Sequence, residues 1–163
     1  MTMINFKQWL DEQNNTDDFP KSSSLSKPEV AAIKRYISQG YMYAIKNSRK
    51  LLDSIISKAP PTKTTTIVYR GIRSSPKMDM NGLHINETLV STSTSMNVAK
   101  GFASKTGHVI KISIPAKSRV LNLSEYGEDE ILIKSQSRLK YNKHSTTTDD
   151  LTMWEATLVF DGA

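Results

Sequence analysis

A chain of 163 residues with 37% hydrophobic and 23% charged content is long enough to bury one core and short for two, so it reads as a single globular domain rather than a fibrous or disordered chain. The absence of cysteine excludes disulfides, thiolate metal sites and a cysteine nucleophile together. The net charge of +6 is uneven: residues 21–63 hold nine Lys/Arg against two acids, whereas residues 64–163 hold twelve against ten.

Residues 3–13 place Met3, Ile4, Phe6, Trp9 and Leu10 near a 3.6 period and predict a short amphipathic helix. The first twenty residues carry Lys7 against Asp11, Glu12, Asp17 and Asp18, the reverse of a basic secretory leader, and no stretch resembles a membrane span. A cytosolic protein that needs no membrane is expected, or one that reaches a host cytoplasm by phage or by delivery. Residues 14–27 are polar and read as a connection. Ser26 can cap a second helix with Pro28 in its first turn and Ile33, Tyr36 and Ile37 on one face. Gly40 interrupts, and a third helix with Tyr41, Ile45, Ser48, Leu52 and Ile55 along one stripe ends before Pro60-Pro61.

From Thr64 the character changes. Thr64 to Ile72 is rich in β-branched residues, and a second strand is expected around 85–90. Ser95 or Asn97 can open a short helix through Val98, Ala99, Phe102 and Ala103. Val109–Ile114 and Val120–Leu123 read as strands, a further strand is expected at about 129–134, polar residues fill 142–150, and 152–160 makes a closing strand. Helices followed by strands, without regular βαβ alternation, predict an α+β fold with a mostly antiparallel two-sheet core. The expected organisation is one unit, 1–163, with a helical front over 1–63 and a β core over 64–163.

Familiar nucleotide machinery is missing: there is neither a P-loop motif nor a Gly-rich dinucleotide fingerprint. His84, His108 and His144 have no metal-ligand spacing and read as surface or packing residues, so no metal is expected. The basic stretch 21–63 could attract nucleic acid or an acidic protein, but it lacks the aromatic interleaving of a single-strand binder and can equally be a solvated face. Three features remain. Arg70 follows Val68-Tyr69 at a strand end. Ser91-Thr92-Ser93-Thr94-Ser95 is a hydroxyl cluster. Glu128 and Glu130, read as part of a strand, would share one face roughly 6–7 Å apart, with Asp129 opposite beside Ile131 and Ile133. A carboxylate pair of this kind suits chemistry at a glycosidic carbon. Singly, each has a plain alternative: a surface cation, a helix-capping loop, a charged strand entrance.

In this order, Val68-Tyr69-Arg70-Gly71, Leu89-Val90-Ser91-Thr92-Ser93 and Tyr126-Gly127-Glu128-Asp129-Glu130-Ile131-Leu132 resemble the Arg, Ser-Thr-Ser and Glu-x-Glu series of mono-ADP-ribosyltransferases. The branch is that of arginine-modifying toxins and phage-encoded enzymes of the Alt and Mod type. The likeness spans roughly residues 30–133. The helix with Tyr36, Gly40, Tyr43 and Ile45 resembles the family's helix before the catalytic core, although Ile45-Lys46-Asn47 displaces the Asn of the usual Ile-Asn pair. The short N-terminal region implies a free-standing catalytic unit, expected to be a monomer.

The resemblance implies NAD as co-substrate, released nicotinamide, and an arginine-bearing target protein, possibly associated with nucleic acid. It assigns Glu130 to the ribose and the developing oxocarbenium charge, Ser91 to orienting Glu130, and Arg70 to phosphate and ribose oxygens, with Gly71, Thr92 and Ser93 also in the NAD site. Phe102 would lie near the nicotinamide, with a core packing role as the alternative. Glu128 would bind and deprotonate the acceptor guanidinium, which cannot attack while protonated, and Tyr126 would belong to the acceptor-recognition loop. Family members with Glu at position 128 generally modify arginine. Two other activities stay open at this point: an NAD glycohydrolase using water, and a binding module on the basic 21–63 face.

Overall fold

The structure is a computed structural model that describes residues 25–103, 107–146 and 150–160. The helix expected over 3–13 and most of the connection over 14–27 lie outside the described residues.

Helix α1 (Lys27–Gln39) opens on the expected cap. The Ser26 hydroxyl accepts the Glu29 N–H at 3.4 Å while the Glu29 carboxylate accepts the Ser26 N–H at 3.1 Å, so two otherwise unpaired amides are satisfied reciprocally. These bonds, and Lys58 at 3.4 Å, hold the Glu29 carboxyl below its usual range. Gly40 adopts φ 84° and donates its N–H to the Tyr36 carbonyl at 3.0 Å, ending α1 and starting α2 (Tyr41–Lys58). A side chain would be strained at that angle.

Among the described residues eight strands follow, in two sheets. The five-stranded sheet has the order β1 (Thr66–Ile72), β4 (His108–Ile114), β8 (Thr152–Leu158), β7 (Arg138–Thr146), β2 (Leu83–Ile85). All its pairings are antiparallel except β4 with β8. The three-stranded sheet runs β3 (Val90–Thr92), β6 (Ile131–Ile133), β5 (Leu121–Asn122), antiparallel throughout. Helix α3 (Met96–Ala103) lies between β3 and β4 in the chain.

Strand alternation builds the layers. Val68, Ile110, Ile112 and Ile114 of the large sheet meet Val90, Ile131 and Ile133 of the small one. Leu132, between those two isoleucines, points the other way with Leu89 and Leu121, onto Ile33 and Tyr36 of α1 and Leu52, Ile55 and Ile56 of α2. On the opposite face of the large sheet, Ala99 and Ala103 of α3 pack on Val109, Tyr69 and Met153. The α+β two-sheet architecture is as the sequence implied.

Three expectations are corrected. The single strand at 85–90 is two strands in different sheets: the Asn86 N–H and side-chain amide both donate to the Ser137 carbonyl, at 2.8 and 3.2 Å, and turn the chain away. The polar stretch from 142 begins inside β7, where only Leu139 and Tyr141 are buried and the outer half is exposed. It is held by pairing with β8, including a Lys143–Glu155 contact at 3.3 Å. The strand expected at 129–134 is confined to 131–133, so Glu128 and Glu130 lie in the loop leading into it.

Candidate active site

A cleft of about 460 Å³ opens where the C-terminal part of β1, strand β3, helix α3 and the loop before β6 converge. Its walls include Arg70, Gly71, Ser91, Thr92, Ser93, Phe102, Glu128 and Glu130, so the motif residues singled out in the sequence meet in one place, apart from Tyr126.

The convergence follows from register. Thr92 pairs with Ile131 and Ser91 with Leu132, so Ser91 sits on the same face of the small sheet as Leu132, diagonal to Glu130. The Ser91 hydroxyl donates to Glu130 Oε1 at 2.7 Å. The backbone of Glu130 is fixed in turn by its carbonyl, which accepts the Leu123 N–H at 3.0 Å. Thr92 faces the other way, buried, and its hydroxyl donates to the Ile131 carbonyl at 2.6 Å. Ser93 joins the sheets: Tyr69 N–H to Ser93 carbonyl is 2.7 Å, the reverse bond 2.8 Å, and its hydroxyl accepts the Ser95 N–H at 3.0 Å. Thr92 and Ser93 therefore spend their polar groups on the scaffold of the cleft.

Arg70 Nη1 donates to the Ser91 carbonyl at 2.9 Å, which ties the cation to the strand carrying the serine. No carboxylate among the described residues forms an ion pair with it. A guanidinium presents a planar fork of donors that matches phosphate and carboxylate oxygens.

Two residues play parts that the sequence did not reveal. The buried Tyr36 of α1 donates its hydroxyl to Glu130 Oε1, the oxygen that also takes Ser91. Thr94 donates to Asp129 Oδ1 at 2.6 Å, so the hydroxyl cluster is bonded to the acidic loop as well as lining the cleft. Asp129 lines the cleft beside the glutamates instead of facing away, because these residues precede the strand and do not alternate as one.

Packing gives Gly71 a reason to be glycine. A Cβ there would lie 1.8 Å from the Ala99 carbonyl oxygen and 2.8 Å from the Ala103 nitrogen, so α3 rests directly on the β1 backbone. Phe102 is 70% exposed on the cleft wall, which removes the core packing alternative. Tyr126, in a 3-10 turn over Ser124–Tyr126, packs partly buried against the cluster under α1 and α2 and does not line the cleft. The histidines pack as expected: His108 Nδ1 accepts the Trp154 indole N–H at 3.0 Å and His144 stacks on the same ring, centroids 4.5 Å apart. No cluster of metal-binding side chains occurs among the described residues.

No protein-family model matches the sequence, and a search of curated proteins gives no significant match. Solved structures do match. Vis, an ADP-ribosyltransferase toxin from Vibrio splendidus determined in complex with agmatine, superposes with a TM-score of 0.73 at 16% identity, over 100% of this chain and 90% of that one. The C3 exoenzyme of Clostridium limosum gives 0.69 at 16%, covering 93% and 94%. C3stau2 from S. aureus, solved with NAD, gives 0.66 at 13%, covering 98% of each chain. The chain has the ADP-ribosyltransferase fold.

Proposed function

We propose that the cleft binds NAD and transfers its ADP-ribose to arginine side chains of a protein, releasing nicotinamide. The observation that carries this reading is the placement of Glu130, held through one oxygen by Ser91 and Tyr36, in a cleft it shares with Glu128 and with an Arg70 that no described carboxylate pairs. The fold shared with proteins solved with NAD supports the choice of co-substrate. The residues fit it: a permanent planar cation for phosphate oxygens, an exposed aromatic ring for the nicotinamide, and a fixed carboxylate for the ribose.

In this reading the bond between the nicotinamide nitrogen and ribose C1′ breaks, and its electron pair leaves with nicotinamide. The sugar becomes electron-poor, and Glu130 stabilises that charge because its carboxylate is already oriented. A guanidinium nitrogen then bonds to C1′ after passing a proton to Glu128. The Vis complex supports a guanidinium acceptor, since agmatine carries that group. Glu128, Asp129 and Glu130 supply three carboxylates on the cleft wall to receive it.

Isotopically labelled NAD incubated with the enzyme and a cell lysate should label protein. An agmatine assay gives the defined version of the same test. Glu130→Gln should abolish both labelling and nicotinamide release, whereas Glu128→Gln should lose transfer to agmatine at least about a hundredfold, within the range of one general base, and keep NAD hydrolysis. Equal loss of both reactions in Glu128→Gln would remove the acceptor role. Nicotinamide release by wild type without any labelled acceptor would leave a glycohydrolase.

A further inference from the structure

Glu130 precedes β6, and past the other end of that strand a second hollow of about 240 Å³ opens. It is walled by the C-terminal turn of α2, the β4–β5 turn, the β6–β7 turn and the segment that follows β8. Lys117, Arg119 and Lys134 line it, with Leu158, Val159 and Phe160 as the apolar side, and no carboxylate is among its described lining residues.

The cations are built in rather than scattered. Arg119 Nη1 is fixed on the Ala59 carbonyl at 2.6 Å. Lys117 stands at φ 70°, where glycine would be the unstrained choice, in a turn locked by its own N–H to the Thr62 carbonyl at 2.7 Å and the Thr62 N–H to the Ser118 carbonyl at 2.8 Å. Lys117 and Lys134 are exposed and form no ion pair with a described acid. Lys63, also exposed, directly follows Thr62. Beside them Phe160 is 46% exposed.

An inorganic anion, or the carboxylates of an acidic peptide, would use the cations and leave the ring idle. A nucleotide uses both, its phosphate on the cations and its base on the ring. We propose that this hollow binds single-stranded nucleic acid, one phosphate held by Lys117, Arg119 and Lys134 and one base stacked on Phe160. The basic helical front lacks interleaved aromatic residues in sequence; here the fold supplies one from the far end of the chain. The proposal does not depend on the transfer chemistry, because the hollow shares no lining residue with the cleft.

The test is fluorescence anisotropy with a labelled single-stranded oligonucleotide of about twelve nucleotides, within the site sizes of single-strand binders. Wild type should bind with an affinity that falls as salt rises. Phe160→Ala should weaken binding about tenfold and Phe160→Tyr should restore it, since stacking needs a ring and not its hydroxyl. Lys117→Ala with Lys134→Ala should weaken binding and reduce the slope of log affinity against log salt by up to about 0.7, the share of the one phosphate they help to hold. Thermal melting must match wild type for each variant; because these side chains are exposed, it should. No binding at low salt, binding unchanged by these substitutions, or equal competition by poly-glutamate would each overturn the proposal.

Discussion

At the scale of single residues, Glu130 shows how a cleft carboxylate is held in one orientation. Ser91 and Tyr36 both donate to Oε1, so the orientation of the acid is set before any ligand arrives. Tyr36 is a positioning residue, and its hydroxyl can be removed without disturbing the ring packed on Leu132. Tyr36→Phe should lower kcat about tenfold, near 1.4 kcal/mol for one charge-assisted bond, with KM for NAD and the melting temperature little changed. Steady-state nicotinamide release alongside thermal melting checks this; a fall in stability with kcat intact would make Tyr36 a packing residue only. Tyr141 offers a second test. Burial pushes its phenol from the ordinary 10.0 up to about 12, against the opposing pull of the Arg70 charge. The folded protein thus keeps a proton that the unfolded chain releases near pH 10. The resulting stability is complete below pH 10 and is lost as pH rises towards 12. Denaturant melts across that window should fall more steeply for wild type than for Tyr141→Phe.

At the scale of elements, the close approach of α3 to β1 is the contact that shapes the cleft. The helix carries Phe102 and Val98 onto its wall, and Gly71 lets the helix backbone come so near, as Gly107 does at the helix end. Gly71→Ala forces a shift of backbone against backbone. A loss of about 1–3 kcal/mol is expected, read as a melting temperature lower by roughly 3–10 °C. Because the displaced helix lines the site, KM for NAD should rise in the same variant. The sequence announced β1 and β4 through their runs of branched residues, and α1 through Ser26 and Pro28, because burial on a defined face leaves a period to read. Strand β7 left none beyond Tyr141: Asn142, Lys143 and His144 are exposed, and partner strands, not composition, keep them extended. The glutamate loop misled for the opposite reason, since alternation was read into residues that precede the strand.

At the scale of the whole molecule, the site was legible as a list of residues and not as a set of bonds. Arg70, Ser91, Glu128 and Glu130 could be named because three short motifs occur in order. The bond from Tyr36 to a partner 94 positions away could not, because nothing local marks a buried hydroxyl as pointing at an acid. Thr94 was hidden in a run of similar residues, and only the fold shows that it reaches Asp129 while Ser91 reaches Glu130. The stacked layers explain the arrangement: the small sheet lies between helices and large sheet, so its strand ends are where both can deliver side chains.

The place of β8 in the large sheet bears on how the molecule is born. Although it is the last of the described strands in sequence, it stands in the middle, flanked by β4 and β7. A nascent polypeptide still short of residue 152 has β1 and β4 on one side and β7 and β2 on the other, with nothing to join them. Ribosome-bound or prematurely terminated products ending before it therefore lack the strand that joins the two halves of the large sheet.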